Sequence, residues 1–364
     1  MPTSAYGTLA LAHDYLTQRG GAERVVAGWV GMWPEAPLYT ALYEPSHTFP
    51  EFQQAKLVCS PLNRSHFLRS HYRAALPLYP LAWSRTAIEA DVVLASSSGW
   101  AHGLRTDGRL VVYCHSPARW LYQPQRYLAT GAFGRGVRLA RLLGQLPLQR
   151  WDLRSAQRAD VYVANSAATQ AIIRQTYGID AEVIHPFVRP PHVMPEVSDL
   201  GDVLVIARLL PYKNVDLIIA AAQELSHLRF RIVGDGPQRD TLEKSAPSNV
   251  TFLGSVADEQ LWREYRGTRL HVAMSYEDFG ITPLEAAAAG VPTLARTFGG
   301  YLDTVTPETG VLLDTESVDV RHVIDGIKVA LRNSWLPADL SNHAQRFSAQ
   351  THYESLNKLL WPIR

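Results

Sequence analysis

Short apolar runs alternate along this chain with longer helix-prone stretches, in two series, and no other feature constrains the fold as strongly. The first series is TLALAHDYL, DVVLASSS, RLVVYCHS, DVYVANS and AEVIHP. The second is DVLVIARL, LRFRIVGDG, NVTFLGSV, RLHVAMSY and VPTLART, interleaved with helical patterns such as VDLIIAAAQEL. Runs that are apolar along their whole length belong to strands buried on both faces, as in a parallel sheet covered by helices. Between the two series Pro186, Pro190, Pro191 and Pro195 break regular structure, because proline lacks the N–H that a helix or sheet needs. At 364 residues the chain suits two domains better than one. The expected fold class is α/β, with two Rossmann-like, doubly wound domains facing a central cleft. Residues 1–190 and 191–340 form these domains, and 341–364 form a polar helical segment that crosses back toward the first. In such sheets ligands lie beyond the carboxyl ends of the strands, so the chemistry is expected there.

Residues 275–294, SYEDFGITPLEAAAAGVPTL, hold the most informative of those strand ends. Thr282, Pro283, Leu284 and Glu285 read as a capping box with proline at the first helical position, which predicts a helix starting there. The apolar LHVAM before it reads as a buried strand. At such a corner the N–H groups of Gly280, Ile281 and Thr282, in the turn that also contains Phe279, sit at the positive end of a helix dipole and suit a phosphate. Glu277 and Glu285 flank that anion, and a carboxylate accepts two hydroxyl hydrogen bonds. One glutamate then clasps a ribose and the other a sugar ring, so the segment reads as a sugar-nucleotide site. Glu285 is also claimed by the capping box, which makes cap and clasp rivals for one side chain.

Three further clusters occupy strand ends. In VIARLLPYKNVDLI, Arg208 ends a strand and Lys213 opens a helix, and a guanidinium fork with a point-charge ammonium suits one diphosphate. The loop at Gly20, Gly21 and Ala22 follows the first strand, and glycine there lets the backbone approach a bulky ligand. His115 follows the strand in LVVYCHSP and is placed to donate to a sugar hydroxyl or to stabilise a developing positive charge through its carbonyl neighbours.

Two cysteines, Cys59 and Cys114, make neither a disulfide framework nor a cysteine metal site. The first residues lack a basic run, and no apolar stretch reaches membrane-spanning length, so a cytoplasmic setting is expected. The net charge of +1 conceals an asymmetry: residues 1–195 hold 19 Lys and Arg against 12 Asp and Glu, giving +7, and the remainder hold 16 against 22, giving −6. Residues 119–158 carry eight arginines and a single acid, Asp152. Residues 63–85 mix Arg64, Arg69, Arg73 and Arg85 with Phe67, Tyr72, Tyr79 and Trp83. Such stretches fit either a solvated face or a surface lying on an anionic membrane. No nucleic-acid-binding motif accompanies the charge.

Taken together, Glu277 and Glu285 in YEDFGITPLEAAAAGVP, Arg208 and Lys213 in ARLLPYKN, the VGDGP at 233–237, the strand end at His115 and the GGAERV loop resemble family 4 of the retaining glycosyltransferases, which have the GT-B fold. The resemblance spans nearly the whole chain. It implies that Glu277 contacts the transferred sugar and Glu285 the ribose, while Arg208 and Lys213 bind the diphosphate with the backbone at Gly280, Ile281 and Thr282. Gly20 and Gly21 would approach the donor, His115 would contact its sugar, and Gly234 and Val256 would lie near the base. Arg119 and Trp120 would meet the acceptor. The implied reaction is front-face transfer with no metal or other cofactor, in keeping with the lack of any Asp-x-Asp motif. The HDYLTQRGGAERV and YCHSPARWLYQ patterns are similar to enzymes moving mannose or related sugars in bacterial polysaccharide and glycoconjugate assembly. A GDP-sugar donor is therefore expected first and a UDP-sugar second, with a lipid-linked saccharide or a small-molecule acceptor. A sugar-nucleotide epimerase or hydrolase of the same fold, and a non-catalytic binder of sugar nucleotides, remain open alternatives. A dinucleotide-dependent dehydrogenase fits less well, for the glycine fingerprint is missing.

Overall fold

The computed structural model describes residues 7–122, 135–314 and 317–362, and the side chains of Trp120 and of residues 135–144 lie outside that description. The chain forms two units, one from residues 1–185 with 352–364 and one from 186–351.

In the first unit the strands are β1 (Leu9–His13), β2 (Leu38–Thr40), β3 (Leu57–Cys59), β4 (Val92–Ser97), β5 (Arg109–Cys114), β6 (Val161–Ala164) and β7 (Glu182–Val183). They lie in the order β3-β2-β1-β4-β5-β6-β7 with every pair parallel. All six residues of β4 are buried, as expected of a strand covered on both faces. Strand order reverses between β1 and β4, where His13 stands opposite Ser96. That reversal is a topological switch point, the place where open α/β sheets hold ligands.

The second unit has β8 (Val203–Ile206), β9 (Phe230–Val233), β10 (Val250–Gly254), β11 (Leu270–Ala273), β12 (Thr293–Arg296) and β13 (Gly310–Leu313). Their order is β10-β9-β8-β11-β12-β13, again all parallel, with the switch point between β8 and β11. The helix Val215–Glu224 buries Val215, Ile218, Ile219 and Ala222, a spacing of three and four residues that puts one apolar stripe on the sheet. The helix Val320–Arg332 buries Val323, Ile327 and Ala330 in the same way, and Asp319 with His322 closes a capping box at its start.

Two helices, Pro337–Gln345 and Ala349–Leu360, occupy the region read from sequence as one helical segment. From residue 352 onward the chain belongs to the first unit. There the Trp29 indole N–H donates to His352 Nε2 at 2.9 Å, and His352 Nδ1–H donates to the His185 carbonyl at 2.7 Å. Burial pushes the His352 pKa down to about 4, against the opposing pull of the His185 carbonyl.

The basic run 63–85 folds differently from an amphipathic face made of all its aromatics. Tyr79 and Trp83 are buried, leaving Phe67, Leu78 and Leu81 exposed beside exposed Arg64, Arg73 and Arg85. Among the described residues no helix is long and apolar enough to cross a membrane.

Candidate active site

The second unit gathers a polar cluster at its switch point. Lys213, at the end of a short 3-10 turn (Pro211–Lys213) after β8, pairs with Glu277, two residues beyond Ser275 after β11. Ser275 Oγ lies 2.8 Å from Glu277 Oε1 and donates to it, and it also lies 2.8 Å from the Tyr301 hydroxyl. One serine hydrogen serves the carboxylate, so the tyrosine O–H donates to Ser275. Burial, then the charge of Glu277, pushes the Tyr301 pKa well up, which keeps it a donor at every physiological pH. Tyr301, Ser275 and Glu277 thus form a chain ending on the ammonium of Lys213.

Backbone geometry supports that chain from two sides. Asn214, the one non-glycine residue with positive φ among those described, takes φ 52°, a region that asparagine tolerates better than most residues. Its amide donates to the Met274 carbonyl at 2.9 Å, tying the loop after β8 to the end of β11. On the other side the Gly300 N–H donates to the Glu277 carbonyl at 2.9 Å. A Cβ on Gly299, with φ 64°, would lie 2.3 Å from that same carbonyl, and one on Gly300 would lie 2.2 Å from Phe279 Cα. Only glycines let this turn sit against the Glu277 segment.

The capping box read from sequence is absent. The helix runs Ile281–Ala288 with Gly280 at its cap, φ 82° and no side-chain capping bond, so Thr282 and Pro283 lie inside its first turn. Gly280 reaches a left-handed conformation without penalty, which starts the helix earlier than a threonine cap would. Glu285, 6% exposed, accepts instead from the Tyr265 hydroxyl at 2.9 Å, and the same hydroxyl lies 3.3 Å from the Thr282 carbonyl. Phe279 is buried in the apolar cluster beneath this turn, and Ile281 is half-buried there.

Arg208 stands exposed after β8, in the segment that leads to Lys213. The loop after β9 packs on that segment: Leu209 N–H donates to the Asp235 carbonyl at 2.9 Å, and a Cβ on Gly234, φ 129°, would lie 1.9 Å from the Ala207 carbonyl. Val256, past β10, is half-buried.

In the first unit the switch point is polar and buried. His13 Nδ1 lies 2.9 Å from Ser96 Oγ, which lies 2.8 Å from His115 Nε2. His115 is 7% exposed; burial above all, with His13 and His352 nearby, pushes its pKa down to about 3, so it is neutral. Asn165 donates to the His115 carbonyl at 3.2 Å. Gly20 caps the helix Gly21–Met32, and around Gly21 a Cβ would meet nothing within 4 Å. Arg119 opens the short helix Arg119–Tyr122, half-buried, whereas the neighbouring Trp120 side chain lies outside the described residues.

Nearby, Ser97 Oγ lies 3.0 Å from His102 Nδ1, and His102 Nε2 lies 3.1 Å from Asp152 Oδ1, out of line for a hydrogen bond. This resembles a hydrolytic triad in composition alone. All three residues are at most 1% exposed, so no substrate reaches the serine, and the set ties the helix bearing Asp152 to β4.

Sequence reasoning placed Lys213 and Glu277 at one site, and the structure brings them into contact. It missed Ser275, Tyr301 and the Gly299–Gly300 turn in the second unit, and His13, Glu23 and Ser96 in the first. Ser275 lay inside the segment already singled out, and His13 ends β1 as His115 follows β5, so both had a positional signal.

Two all-parallel units, each with a polar cluster at its switch point, define a tandem Rossmann-like protein. Residues 19–191 match the model of "Glycosyltransferase Family 4" and residues 194–347 that of "Glycosyl transferases group 1". Over 166 residues, 39% of the chain and 42% of the relative, it is 36% identical to the GDP-mannose-dependent alpha-(1-6)-phosphatidylinositol monomannoside mannosyltransferase of Mycobacterium tuberculosis. Over 188 residues, 48% of the chain and 42% of the relative, it is 33% identical to the D-inositol 3-phosphate glycosyltransferase of Mycolicibacterium smegmatis. The chain thus spans less than half the length of these curated relatives. Among solved structures it is similar to Anabaena HepE in complex with UDP and glucose, with TM-score 0.71 at 18% identity over 98% of this chain and 100% of that one. It is similar also to WaaG, a glycosyltransferase involved in lipopolysaccharide biosynthesis, with TM-score 0.69 at 17% identity over 98% and 100%. The chain belongs to glycosyltransferase family 4 and has the GT-B type of fold.

Proposed function

We propose that this protein transfers a hexosyl group, with retention, from a nucleotide-diphosphate sugar to an acceptor hydroxyl, with GDP-mannose as the first donor and a UDP-sugar as the second. The observation that carries this reading is the Lys213–Glu277 pair, held by Ser275 at the switch point beside the start of the helix Ile281–Ala288. A cation and a helix amino terminus suit a diphosphate, and a carboxylate beside them suits sugar hydroxyls. The relative named as GDP-mannose-dependent supports the base and sugar, and the neighbour solved with UDP and glucose supports the second choice.

The roles follow from these groups. Arg208 and Lys213 take the diphosphate with the backbone of Gly280, Ile281 and Thr282; Glu277 positions the transferred sugar; Glu285 takes the ribose, sharing its carboxylate with Tyr265. His115 contacts the sugar, and Arg119 and Trp120 the acceptor. The bond from the anomeric carbon to the diphosphate oxygen breaks, and its electron pair leaves with the phosphate. The acceptor oxygen attacks the same face, and its proton passes to the departing phosphate oxygen. Cationic side chains and the helix terminus neutralise the leaving group, so the step calls for no metal. A thermal-shift panel of GDP, UDP, ADP and dTDP tests the donor. GDP at a hundred times its Kd stabilises the protein by about 2.7 kcal/mol. A shift with none of the four overturns the reading. Product analysis of GDP-mannose turnover without acceptor then separates transfer from hydrolysis or epimerisation.

The acceptor side is assigned to an anionic bilayer surface. Between Glu51 and Glu89 there is no acidic residue, and exposed Arg64, Arg73 and Arg85 stand with exposed Phe67, Leu78 and Leu81 in that stretch. Each arginine near such a surface contributes about 1 kcal/mol. Co-sedimentation is expected with phosphatidylglycerol-containing vesicles and not with phosphatidylcholine alone, falling as salt is raised. The double variant R73E/R85E is expected to weaken it by about tenfold or more. Equal binding to both vesicle types overturns the assignment.

A further inference from the structure

Three buried groups in the first unit, Glu23, His13 and Ser96, form a line that leads to His115 and that the roles above leave unused. Glu23 Oε1 accepts from the Gln18 amide at 2.9 Å and lies 3.8 Å from His13 Nε2. His13 Nδ1 then meets Ser96 Oγ at 2.9 Å, and Ser96 Oγ meets His115 Nε2 at 2.8 Å. Glu23 and His13 are each 2% exposed and Ser96 is fully buried. The line is also cleared for its carboxylate, because a Cβ on Gly20 would lie 2.5 Å from Glu23 Oε2.

A serine hydroxyl carries one hydrogen, so Ser96 donates to one imidazole and accepts from the other. The two tautomers are therefore coupled. His13 Nε2 has no hydrogen-bond partner among the described residues, and the Glu23 carboxylate lies 3.8 Å from it. Placing the hydrogen on that nitrogen is electrostatically favoured, and it leaves Nδ1 with a lone pair. Ser96 donates to that lone pair, and its oxygen then accepts from His115. Because burial keeps His115 neutral, its other nitrogen, Nδ1, is left without hydrogen. Among the described residues nothing is hydrogen-bonded to Nδ1.

We propose that Glu23, His13 and Ser96 are positioning residues that fix His115 as its Nε2–H tautomer, so that Nδ1 presents a lone pair to a sugar hydroxyl. The sugar contact rests on the reading of His115 given above; the tautomer does not. On this assignment His115 accepts from the sugar and does not donate to it. It selects a donor sugar that carries a free hydroxyl there over one with fluorine or a methyl ether, which offers the lone pair no hydrogen.

The test is the side-chain 15N spectrum of the full chain labelled at histidine, with the His115 signals assigned through His115→Asn. In the wild type Nε2 is expected protonated and Nδ1 bare, at a ratio of about ten to one, the factor that one net hydrogen bond supports. In Ser96→Ala and in Glu23→Ala the ratio is expected to fall toward parity. A wild-type His115 protonated at Nδ1 overturns the proposal, as does a ratio unchanged in both variants. The wild-type spectrum decides even where neither variant folds. It is recorded without substrate, so its failure leaves sugar transfer standing, and a failed transfer assay leaves the tautomer standing.

Discussion

Glu277→Gln is expected to lower kcat by about a hundred- to a thousandfold, the range seen when one preorganised polar group is removed from a transition state. GDP affinity is expected to hold or to tighten. Glu277 pairs with Lys213, at side-chain exposures of 26% and 12%, so a diphosphate competes with the carboxylate for one ammonium. Glutamine keeps the shape and the oxygen that accepts from Ser275, while releasing Lys213 for the phosphate. Steady-state kinetics beside calorimetric titration with GDP separate the two effects. A tenfold loss of GDP binding with kcat preserved would remove Glu277 from the sugar and place it with the diphosphate.

The second large effect lies in a residue with no polar side chain. Gly300→Ala is expected to reduce kcat/KM by about a hundredfold, the cost of a misplacement near 1 Å in a reacting group. Gly300 has φ −72°, which any residue adopts, so conformational strain is not the cause. The new methyl would lie 2.2 Å from Phe279 Cα, 2.3 Å from the Phe279 carbonyl and 2.5 Å from the Asp278 carbonyl. Backbone cannot swing aside as a flexible side chain does, so the Glu277 segment shifts away from Ser275 and Tyr301. Tyr301→Phe, which deletes the hydroxyl without crowding, serves as the companion and is expected to move kcat/KM in the same direction. Wild-type kinetics in both variants would show that this turn does not set Glu277.

The long interior strands were legible because β4, β5, β8 and β11 are apolar along nearly their whole length. Strands β2 and β3 were not, since each has three residues and Leu57–Cys59 is only partly buried. Lys213 and Glu277 were legible as charges at strand ends. What fixes them was not: the Ser275–Tyr301 bond joins residues 26 apart, and its partners are a small hydroxyl and a phenol with no motif of their own. The helix start at Ile281 was misread because a glycine at φ 82° caps by conformation, which leaves no side-chain signature. Tyr265, which takes up Glu285, comes from a different helix, and only the fold brings it there.

The return of the chain to its first unit at residue 352 makes that unit discontinuous in sequence. Residues 186–351 form one continuous stretch of chain. The first unit, though begun earlier, stays incomplete until His352 arrives to accept from Trp29 and to bond the His185 carbonyl. Trp29 is fully buried in the finished protein, so until then a large indole lacks its hydrogen-bond partner. The half of the chain translated first is therefore completed by a segment translated after the whole of the second unit.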